Sequence, residues 1–323
     1  MKVLIFGGLG QDGFFLTDRL ISTGHEVISC IRRGTDENRK KELLEKYTSK
    51  LRFIEINIDE FKEIEGIIES NEPDAICNFL AVSDVFDPWK NIDRTFEINA
   101  FFPIKVLKFI EETNKKIKFI QASSSLVFGN SKEEFIDEKT QRNPLYPYGI
   151  SKNAVDQFVI ELREKRNVKC SSVILFNHES ERRNKNFFTK KVIKNAVSIL
   201  NGEIEYLELG DLSAYRDMGC AIDYMNAISL ILEEENSEDY VIGTGKLVQL
   251  EEFVSIVLNK LNLNRNDVIR TKESLIRNVD TRFIRANTQK IEERLKWSRE
   301  YTLETLIDRM IQFELRERNA RII

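Results

Sequence analysis

The stretch that decides the fold is Lys2-Val3-Leu4-Ile5-Phe6-Gly7-Gly8-Leu9-Gly10-Gln11-Asp12-Gly13, a short apolar run that leads directly into a glycine-rich loop. Residues 14–22 then show helical periodicity, so the loop connects a strand to a helix. Gly7, Gly10 and Gly13 permit a tight turn and a close approach of the backbone to a pyrophosphate. The helix N-terminus adds unpaired N–H groups. Although a glycine trio also suits any flexible turn, its position between strand and helix predicts a dinucleotide site.

The alternation of apolar runs and amphipathic stretches continues beyond this loop. Runs that predict strands lie at residues 2–6, 26–31, 51–57, 74–80, 117–122 and 168–175. Helical periodicity separates them, which predicts an α/β fold with a doubly wound, parallel, Rossmann-type sheet. The helices predicted at 94–112 and 148–165 have the clearest apolar spacing, and we expect them to form an interface between two copies of the chain.

A looser pattern follows residue 175, with a polar, basic stretch and later helices near 250–261 and 303–316. It predicts a second, smaller and partly interleaved lobe for the substrate. We expect residues 1–175 and a returning segment at about 214–242 to form the dinucleotide-binding domain, and 176–213 with 243–323 to form the lobe. Because no Pro/Gly-rich linker separates them, the ligands should lie in a crevice between closely packed parts.

Composition excludes several classes of protein. The 323 residues are 41% hydrophobic and carry a formal net charge of −4, which predicts a compact globular chain without the one-sided basic field of a nucleic-acid binder. The N-terminus lacks the features of a signal peptide, and no apolar run is long enough to cross a bilayer. We therefore expect a cytoplasmic protein with neither nucleic acid nor membrane as partner.

Cysteine and histidine are sparse and widely spaced. The four cysteines lie mostly in predicted strands, which favours reduced core thiols over disulfides. With two histidines and no Cys-x-x-Cys or His-x-x-x-His pairing, no metal site is expected.

The end of the second predicted strand bears on the cofactor. NAD-binding folds of this kind usually place an acidic residue there to hold a ribose hydroxyl. This chain has Ser29-Cys30-Ile31-Arg32-Arg33 instead. Two guanidinium groups suit a 2′-phosphate, so Arg32 and Arg33 favour NADP. The alternative is a solvated pair of charges, which leaves NAD open.

A second motif supplies chemistry. Tyr148 and Lys152 form Tyr-x-x-x-Lys, which places both side chains on one helical face, and Ser124 lies upstream at the end of a predicted strand. The three groups complement each other: a phenol to exchange a hydroxyl proton, an ammonium to lower the pKa of that phenol and hold a nicotinamide ribose, and a hydroxyl to orient the substrate oxygen.

Together these motifs resemble those of the extended short-chain dehydrogenases/reductases that modify nucleotide sugars. Within that class the chain most resembles the GDP-mannose 4,6-dehydratase family. The similar segments are Gly10-Gln11-Asp12-Gly13, Ile31-Arg32-Arg33, Gln121-Ala122-Ser123, Phe176-Asn177-His178-Glu179-Ser180, Thr189-Lys190-Lys191 and Leu209-Gly210-Asp211-Leu212 with Arg216-Asp217. The Asn-His-Glu-Ser segment, followed by Arg182-Arg183, is the most specific of these.

The resemblance implies two sets of binding residues. The cofactor set consists of Gly7, Gly10, Gln11, Asp12, Gly13, Arg32, Arg33, Asn57, Ile58, Leu80, Ala81, Asn99, Tyr148 and Lys152. The substrate set consists of Ser83, Ser124, Ser125, Asn177, Lys191, Arg216 and Arg277. Asn57 replaces an aspartate that the family usually has near the adenine, and Asn99 resembles the asparagine that supports the catalytic lysine through water. A homodimer or homotetramer is also implied.

One departure from the family changes the expected reaction. The dehydratases carry a glutamate two positions after the catalytic hydroxyl residue, and it removes the proton at C5; this chain has Leu126 there. Epimerases and 4-keto reductases need no acid at that position. The sequence therefore predicts redox at C4 of an NDP-hexose, GDP-linked, through Ser124, Tyr148 and Lys152.

Two alternatives remain open. One is a true 4,6-dehydratase whose acid or base comes from Asp84, Asp87 or Glu179. The other is a cofactor-sensing relative without catalysis, which the intact Ser124 and Tyr148-x-x-x-Lys152 argue against.

Overall fold

The computed structural model describes residues 1–35, 37–47, 49–83, 89–129, 131–272 and 283–322, the last four of them by their backbone alone. Its strands are β1 (Lys2–Phe6), β2 (Glu26–Arg32), β3 (Leu51–Ile56), β4 (Ala75–Asn78), β5 (Lys118–Ser124), β6 (Phe135–Ile136), β7 (Cys170–Leu175), β8 (Asn177–Glu179), β9 (Leu207–Leu209), β10 (Tyr215–Cys220), β11 (Tyr240–Ile242), β12 (Leu247–Gln249), β13 (Ile269–Thr271) and β14 (Arg285–Ala286). Its helices are α1 (Gln11–Ser22), α2 (Glu37–Lys46), α3 (Phe61–Asn71), α4 (Ile92–Phe96), α5 (Phe102–Glu112), α6 (Pro147–Arg166), α7 (Phe188–Leu200), α8 (Ala221–Glu233), α9 (Leu250–Lys260), α10 (Arg265–Val268), α11 (Gln289–Leu295) and α12 (Leu303–Ile322).

The central layer is a sheet of seven strands in the order β11-β7-β5-β4-β1-β2-β3. All neighbouring strands in it run parallel. Chain order reverses between β1 and β4, and the carboxyl ends of the strands at such a point open a crevice for ligands. The predicted Rossmann-type sheet is confirmed. Each predicted strand is present, with small shifts at its ends, whereas β11 was too short to be predicted.

Helices cover both faces of this sheet because side chains alternate along each strand. On β1, Val3 and Ile5 join the core formed with α1 and α8. Leu4 and Phe6 join the opposite core, formed with α3, α5 and α6. α6 closely matches the helix predicted at 148–165. The helix predicted at 94–112 is instead α4 and α5 joined by a π-helical turn, Glu97–Phe101.

A third apolar cluster lies between α7, α9 and α12, with contributions from β9 and β10. Here β8, β10 and β12 form a small sheet, in which β10 runs parallel to β8 and antiparallel to β12. The chain then passes through α8 back to β11 at the edge of the main sheet. The boundaries proposed for the two lobes stay a prediction.

The burial of the four cysteines bears on their reactivity. Cys30, Cys77, Cys170 and Cys220 are free and buried, and burial raises the pKa of each thiol. Their reactivity as thiolates is therefore low.

Among the described residues, no helix combines the length and apolar character needed to cross a membrane.

Candidate active site

The glycine loop between β1 and α1 is tightly packed. Gly7 has a φ of +83°, a backbone conformation that residues with a side chain rarely adopt. A Cβ on Gly13 would lie 2.4 Å from the carbonyl oxygen of Gly7. Gly10 is the N-cap of α1, and it has no side chain that could accept a hydrogen bond from the N–H groups of the first helical turn. A loop with this shape leaves backbone donors for an anion, so these residues fit a dinucleotide pyrophosphate.

The end of β2 lies beside this loop. The carbonyl oxygen of Cys30 accepts hydrogen bonds from the N–H groups of Gly7 and Gly8, at 3.1 and 3.2 Å. Arg32 ends the strand and Arg33 follows it, and both side chains are exposed. The end of β2 therefore lies next to the loop, and Arg32 and Arg33 continue the chain from there with exposed side chains.

Ser124, Tyr148 and Lys152 come together at the carboxyl end of β5. Ser124 is the last residue of the strand and Tyr148 lies in the first turn of α6, close enough for the Ser124 hydroxyl to lower the pKa of the Tyr148 phenol. The Lys152 ammonium donates to the carbonyl oxygen of Ala122 at 2.8 Å and lies 6.0 Å from the centre of the Tyr148 ring.

Burial shifts both titrating groups of this cluster. It raises the pKa of Tyr148 to about 12, while the hydrogen bond to Ser124 and the charge of Arg183 oppose the rise. It lowers the pKa of Lys152 to about 8, although Asp156 and Asp12 favour the ammonium. A lysine with this pKa retains most of its charge at neutral pH, and that charge favours ionisation of a nearby phenol.

Leu126 follows Ser124 by two residues and lies beside this cluster. It belongs to the 3₁₀ turn Ser125–Phe128, and its N–H donates to the Ser124 Oγ at 3.3 Å. The Leu126 side chain is 48% exposed, whereas Ser125, expected to bind substrate, is buried. The position where a dehydratase keeps its C5 base is thus open and apolar.

Of the three alternative acids, Glu179 lies within the described residues, and it is placed less favourably. Glu179 is 4% exposed, and one carboxylate oxygen accepts from the Thr189 hydroxyl at 2.5 Å and lies 3.3 Å from Nε of Arg183. Its carboxylate is therefore already engaged. Asp84 and Asp87 lie outside the described residues.

Gln11 and Asp12, expected to contact the cofactor, also make contacts across the crevice. Gln11 accepts from the Ser180 hydroxyl at 2.7 Å and donates to the carbonyl oxygen of His178 at 3.2 Å. Asp12 Oδ1 lies 2.9 Å from Nε2 of His178. These side chains join the start of α1 to residues 178–180, and sequence reasoning did not anticipate this link.

His178 has acceptors at both ring nitrogens. Its Nδ1 donates to the carbonyl oxygen of Phe176 at 2.8 Å, which leaves Nε2 facing Asp12. Burial lowers the pKa of His178, but the charge and hydrogen bond of Asp12, together with the hydrogen bond to Phe176, outweigh burial and the net shift is upward. Burial likewise raises the pKa of Asp12, and the pairing with His178 reverses the shift. The arrangement favours an imidazolium–carboxylate pair.

Arg183 is a further group that the sequence did not single out for a role. Its guanidinium packs 3.9 Å from the centre of the Phe187 ring and pairs with Glu179. Its positive charge also lowers the pKa of Tyr148. The only sequence signal was its membership of the Asn-His-Glu-Ser-x-Arg-Arg segment.

Asn99 lies in the π-helical turn and is fully buried. Its amide donates to the carbonyl oxygen of Val82 at 3.0 Å and accepts from the N–H of Val82 at 2.8 Å. The side chain thus holds the segment after β4, where the expected ligand residues Leu80, Ala81 and Ser83 lie. Leu80 itself borders the glycine loop, since a Cβ on Gly7 would lie 3.4 Å from its N–H nitrogen.

The other described residues among the expected ligands lie on separate elements. Asn57 follows β3, is exposed and accepts from the N–H of Asp59 at 3.2 Å, and Ile58 beside it is half-buried. Asn177 begins β8 with an exposed side chain, and Arg216 lies on β10. Arg277 lies outside the described residues.

An open cavity of about 500 Å³ adjoins Lys191 on α7. The Lys191 ammonium donates to the carbonyl oxygen of Glu208 at 3.3 Å, and Tyr206 contributes an exposed aromatic ring. The cavity therefore offers a cation and an aromatic face near the residues expected to hold a nucleotide.

Fold and site together define an extended short-chain dehydrogenase/reductase of the epimerase/dehydratase class, which is a class of enzymes. Within that class, the family model for GDP-mannose 4,6 dehydratase matches residues 4–310, so the chain belongs to that family.

Relatives agree with this assignment, and solved structures agree with the fold. The chain is 30% identical to GDP-mannose 4,6 dehydratase 2 of Arabidopsis thaliana, over 97% of this chain and 86% of that protein. It is 30% identical to the human GDP-mannose 4,6 dehydratase, over 97% and 91%. The fold matches dTDP-glucose 4,6-dehydratase from Bacillus anthracis in complex with NAD, with a TM-score of 0.85, 20% identity and coverage of 99% and 98%. It also matches UDP-glucose 4-epimerase from Thermotoga maritima, with a TM-score of 0.84, 21% identity and coverage of 99% and 100%.

Proposed function

We propose that the chain catalyses reversible redox at C4 of a nucleotide-linked hexose, as an epimerase or 4-keto reductase, without removing water from the sugar. The observation that carries the proposal is Leu126, an exposed apolar side chain two positions after Ser124. Elimination across C5 and C6 needs a group that takes the C5 proton, and leucine cannot take it.

The roles of the reacting residues follow from their contacts. The bound nicotinamide supplies hydride transfer. Tyr148 exchanges the proton of the C4 hydroxyl, and Ser124, which lowers the pKa of Tyr148, orients that oxygen. The Lys152 ammonium, 6.0 Å from the centre of the Tyr148 ring, places a positive charge near the phenol and holds the ribose of the cofactor. NADP is favoured over NAD because Arg32 ends β2 and Arg33 follows it, where an acid would select NAD.

The substrate we propose is GDP-linked. Family membership supports this choice, since relatives named GDP-mannose 4,6 dehydratase match 97% of the chain. Lys191 and Arg216 supply positive charge for a diphosphate, and Asn177 adds an amide donor. Arg277 belongs to the same proposed set.

A 4,6-dehydratase is the second candidate, favoured by the family itself. It would need a base other than position 126, and Glu179 is buried and engaged by Thr189 and Arg183. A non-catalytic sensor is less favoured, because a sensor has no need of Ser124, Tyr148 and Lys152 together at one strand end.

We also propose that the chain forms a homodimer through α6 and the helix beside it, with a homotetramer as the larger alternative. Ile150, Ala154 and Phe158 are exposed at four-residue spacing on α6, and Phe101 on the neighbouring turn is 55% exposed. Such a run of apolar side chains on one helix face is typical of an interface. A cytoplasmic location stays a prediction.

The experiment that tests the reaction uses the purified chain with NADP or NAD and a panel of GDP-, UDP-, CDP- and dTDP-hexoses. We expect one sugar series, the GDP-linked one, to undergo exchange, epimerisation or redox at C4, as detected by mass spectrometry and NMR. A product that has lost one water would instead support the dehydratase.

A further inference from the structure

A third ionisable residue continues the helical face of α6 that carries Tyr148 and Lys152. Asp156 follows Lys152 by one turn, so the three side chains are aligned along the helix. Asp156 is fully buried, at 0% exposure, on the side of α6 that faces the sheet. Neither the redox chemistry proposed above nor the binding residues account for a carboxyl group at this depth.

The Asp156 carboxylate binds the two strands beneath the active site. Its Oδ2 accepts from the Ser123 hydroxyl at 2.6 Å, and its Oδ1 accepts from the Ser172 hydroxyl at 2.7 Å. Ser123 directly precedes Ser124 on β5, and Ser172 lies on β7. One carboxylate therefore fixes the end of the strand that delivers Ser124 relative to the helix that delivers Tyr148.

Charged groups reach Asp156 from three directions. Arg142 approaches from the segment before α6, with Nε at 3.6 Å from Oδ2, and Asp239 repels from the segment before β11. Asp239 is itself paired with Arg163 at 2.7 Å. Lys152 lies one turn before Asp156 on the same helix, and the negative charge of Asp12 also raises the pKa of Lys152.

These contacts determine the charge of Asp156. Burial raises its pKa to about 6, opposed by the hydrogen bond from Ser123 and by Arg142, so the group is mostly ionised at neutral pH. Among the charges that favour the Lys152 ammonium against burial, Asp156 is the largest. An ammonium in such an interior loses its proton readily unless a negative charge lies nearby.

We propose that Asp156 is a positioning residue, which keeps Lys152 charged and holds the end of β5 so that Ser124, Tyr148 and Lys152 stay in register. The inference rests on the role proposed for Lys152 in binding the cofactor ribose. It does not depend on which sugar the enzyme uses, nor on the presence of an acid at position 126.

The test is the pH dependence of cofactor binding by Asp156→Asn, which removes the charge and keeps an acceptor for one serine hydroxyl. NADPH fluorescence, or NADH if it binds more tightly, gives the dissociation constant between about pH 6 and 10. Because Lys152 without its counter-charge loses its proton more easily, we expect the pH at which affinity begins to fall to move down by about one unit. Asp223→Asn is the matched control, since Asp223 is another buried aspartate, bonded to the N–H groups of Glu300 and Tyr301.

A milder variant guards against misfolding. The double variant Ser123→Ala with Ser172→Ala removes both hydroxyl donors, which raises the pKa of Asp156 toward the range in which Lys152 titrates. The pH at which affinity begins to fall should then move down by less than in Asp156→Asn. An unchanged pH of falling affinity in both variants, or an equal movement in Asp223→Asn, overturns the proposal. If Asp156→Asn does not fold, the double variant decides. Since binding is measured without turnover, a lack of C4 chemistry would count against the proposed function and leave this result unaffected.

Discussion

Asp12 Oδ1 lies 2.9 Å from Nε2 of His178, so the first turn of the dinucleotide-binding helix is joined directly to β8. The two residues are 166 positions apart in the chain, and both are largely removed from solvent. The contact connects the proposed cofactor site to the segment that leads into the proposed substrate lobe, and it predicts a particular pH dependence of stability.

The folded pKa of His178 is raised above its ordinary 6.5, so its stabilising effect is full below that value and is lost as pH rises through the folded pKa. The pKa of Asp12 is lowered from 3.8, so its effect is full above that value and lost as pH falls through the folded pKa. We expect His178→Gln to lower the free energy of unfolding by about 1–3 kcal/mol near pH 5.5, and by less near pH 9, in urea titrations.

His25→Gln serves as the control, because His25 contacts the exposed Glu233 at 3.3 Å and surface pairs contribute little. Equal destabilisation by His178→Gln at both pH values would show that packing against Tyr224, and not the ion pair, is what the substitution removes.

Tyr148→Phe tests the proton-transfer role of the phenol. We expect turnover to fall by about two to four orders of magnitude, while the fold and cofactor affinity are retained, because only the acid/base group is lost. Steady-state kinetics with circular dichroism and NADPH fluorescence measure the three quantities. Tyr146→Phe is the matched control, since Tyr146 is 42% exposed and has no role in the proposed chemistry; near-normal turnover in Tyr148→Phe would remove that residue from the mechanism.

The double substitution Arg32→Ala and Arg33→Ala tests cofactor choice. Each charge-assisted hydrogen bond to a phosphate contributes about 1.5–3 kcal/mol, so NADPH affinity should fall by about ten- to a hundred-fold or more, with little change for NADH. Titration of both cofactors by fluorescence gives the ratio. Arg52→Ala, at an exposed arginine on the neighbouring strand β3, should leave the ratio unchanged. The assignment to the 2′-phosphate is wrong if both cofactors weaken equally, or if the unmodified chain prefers NADH.

Leu126→Glu tests the missing base. Since the Leu126 side chain is 48% exposed, a glutamate there would keep much of its hydration and its charge. With GDP-mannose or a close analogue, we expect the unmodified chain to produce no dehydrated sugar and Leu126→Glu to produce some, as measured by mass spectrometry. Leu126→Gln has nearly the same shape without a carboxylate and should produce none. Dehydration by the unmodified chain at about one per second or faster would mean that another residue supplies the base.

Phe158→Glu tests the proposed dimer. A charge on the exposed apolar face of α6 should shift the protein toward monomers in light scattering, because burying an unpaired carboxylate in an interface is unfavourable. Leu44→Glu, at an exposed leucine on α2, is the control and should leave the mass unchanged. A monomeric unmodified chain would contradict the interface directly.

The parallel sheet could be predicted because apolar strand runs alternate with amphipathic helices, and this signal is local. Likewise, the four-residue spacing of Tyr148 and Lys152 predicts that their side chains share one face of a helix, here α6. The contacts of Gln11 and Asp12 with His178 and Ser180 could not be predicted in this way. They depend on how two distant segments approach in space, and no periodicity records that approach.

The engagement of Glu179 by Thr189 and Arg183 was hidden for the same reason. The π-helical turn at Glu97–Phe101 was missed for another: apolar spacing continues across it, so the pattern predicts one uninterrupted helix. This turn has a structural role, because the side-chain amide of Asn99 within it forms two hydrogen bonds with the backbone of Val82.

Gly149 sits directly against the backbone of Leu126, where a Cβ would lie 2.6 Å from the Leu126 carbonyl oxygen. The main chain at position 126 is thus held by α6, whereas its side chain projects into open space. In evolutionary terms, the residue at 126 can be exchanged without refolding the catalytic turn. If position 126 decides dehydration, as proposed above, a lineage could gain or lose that step by substitution at this one site while Ser124 and Tyr148 stay in place.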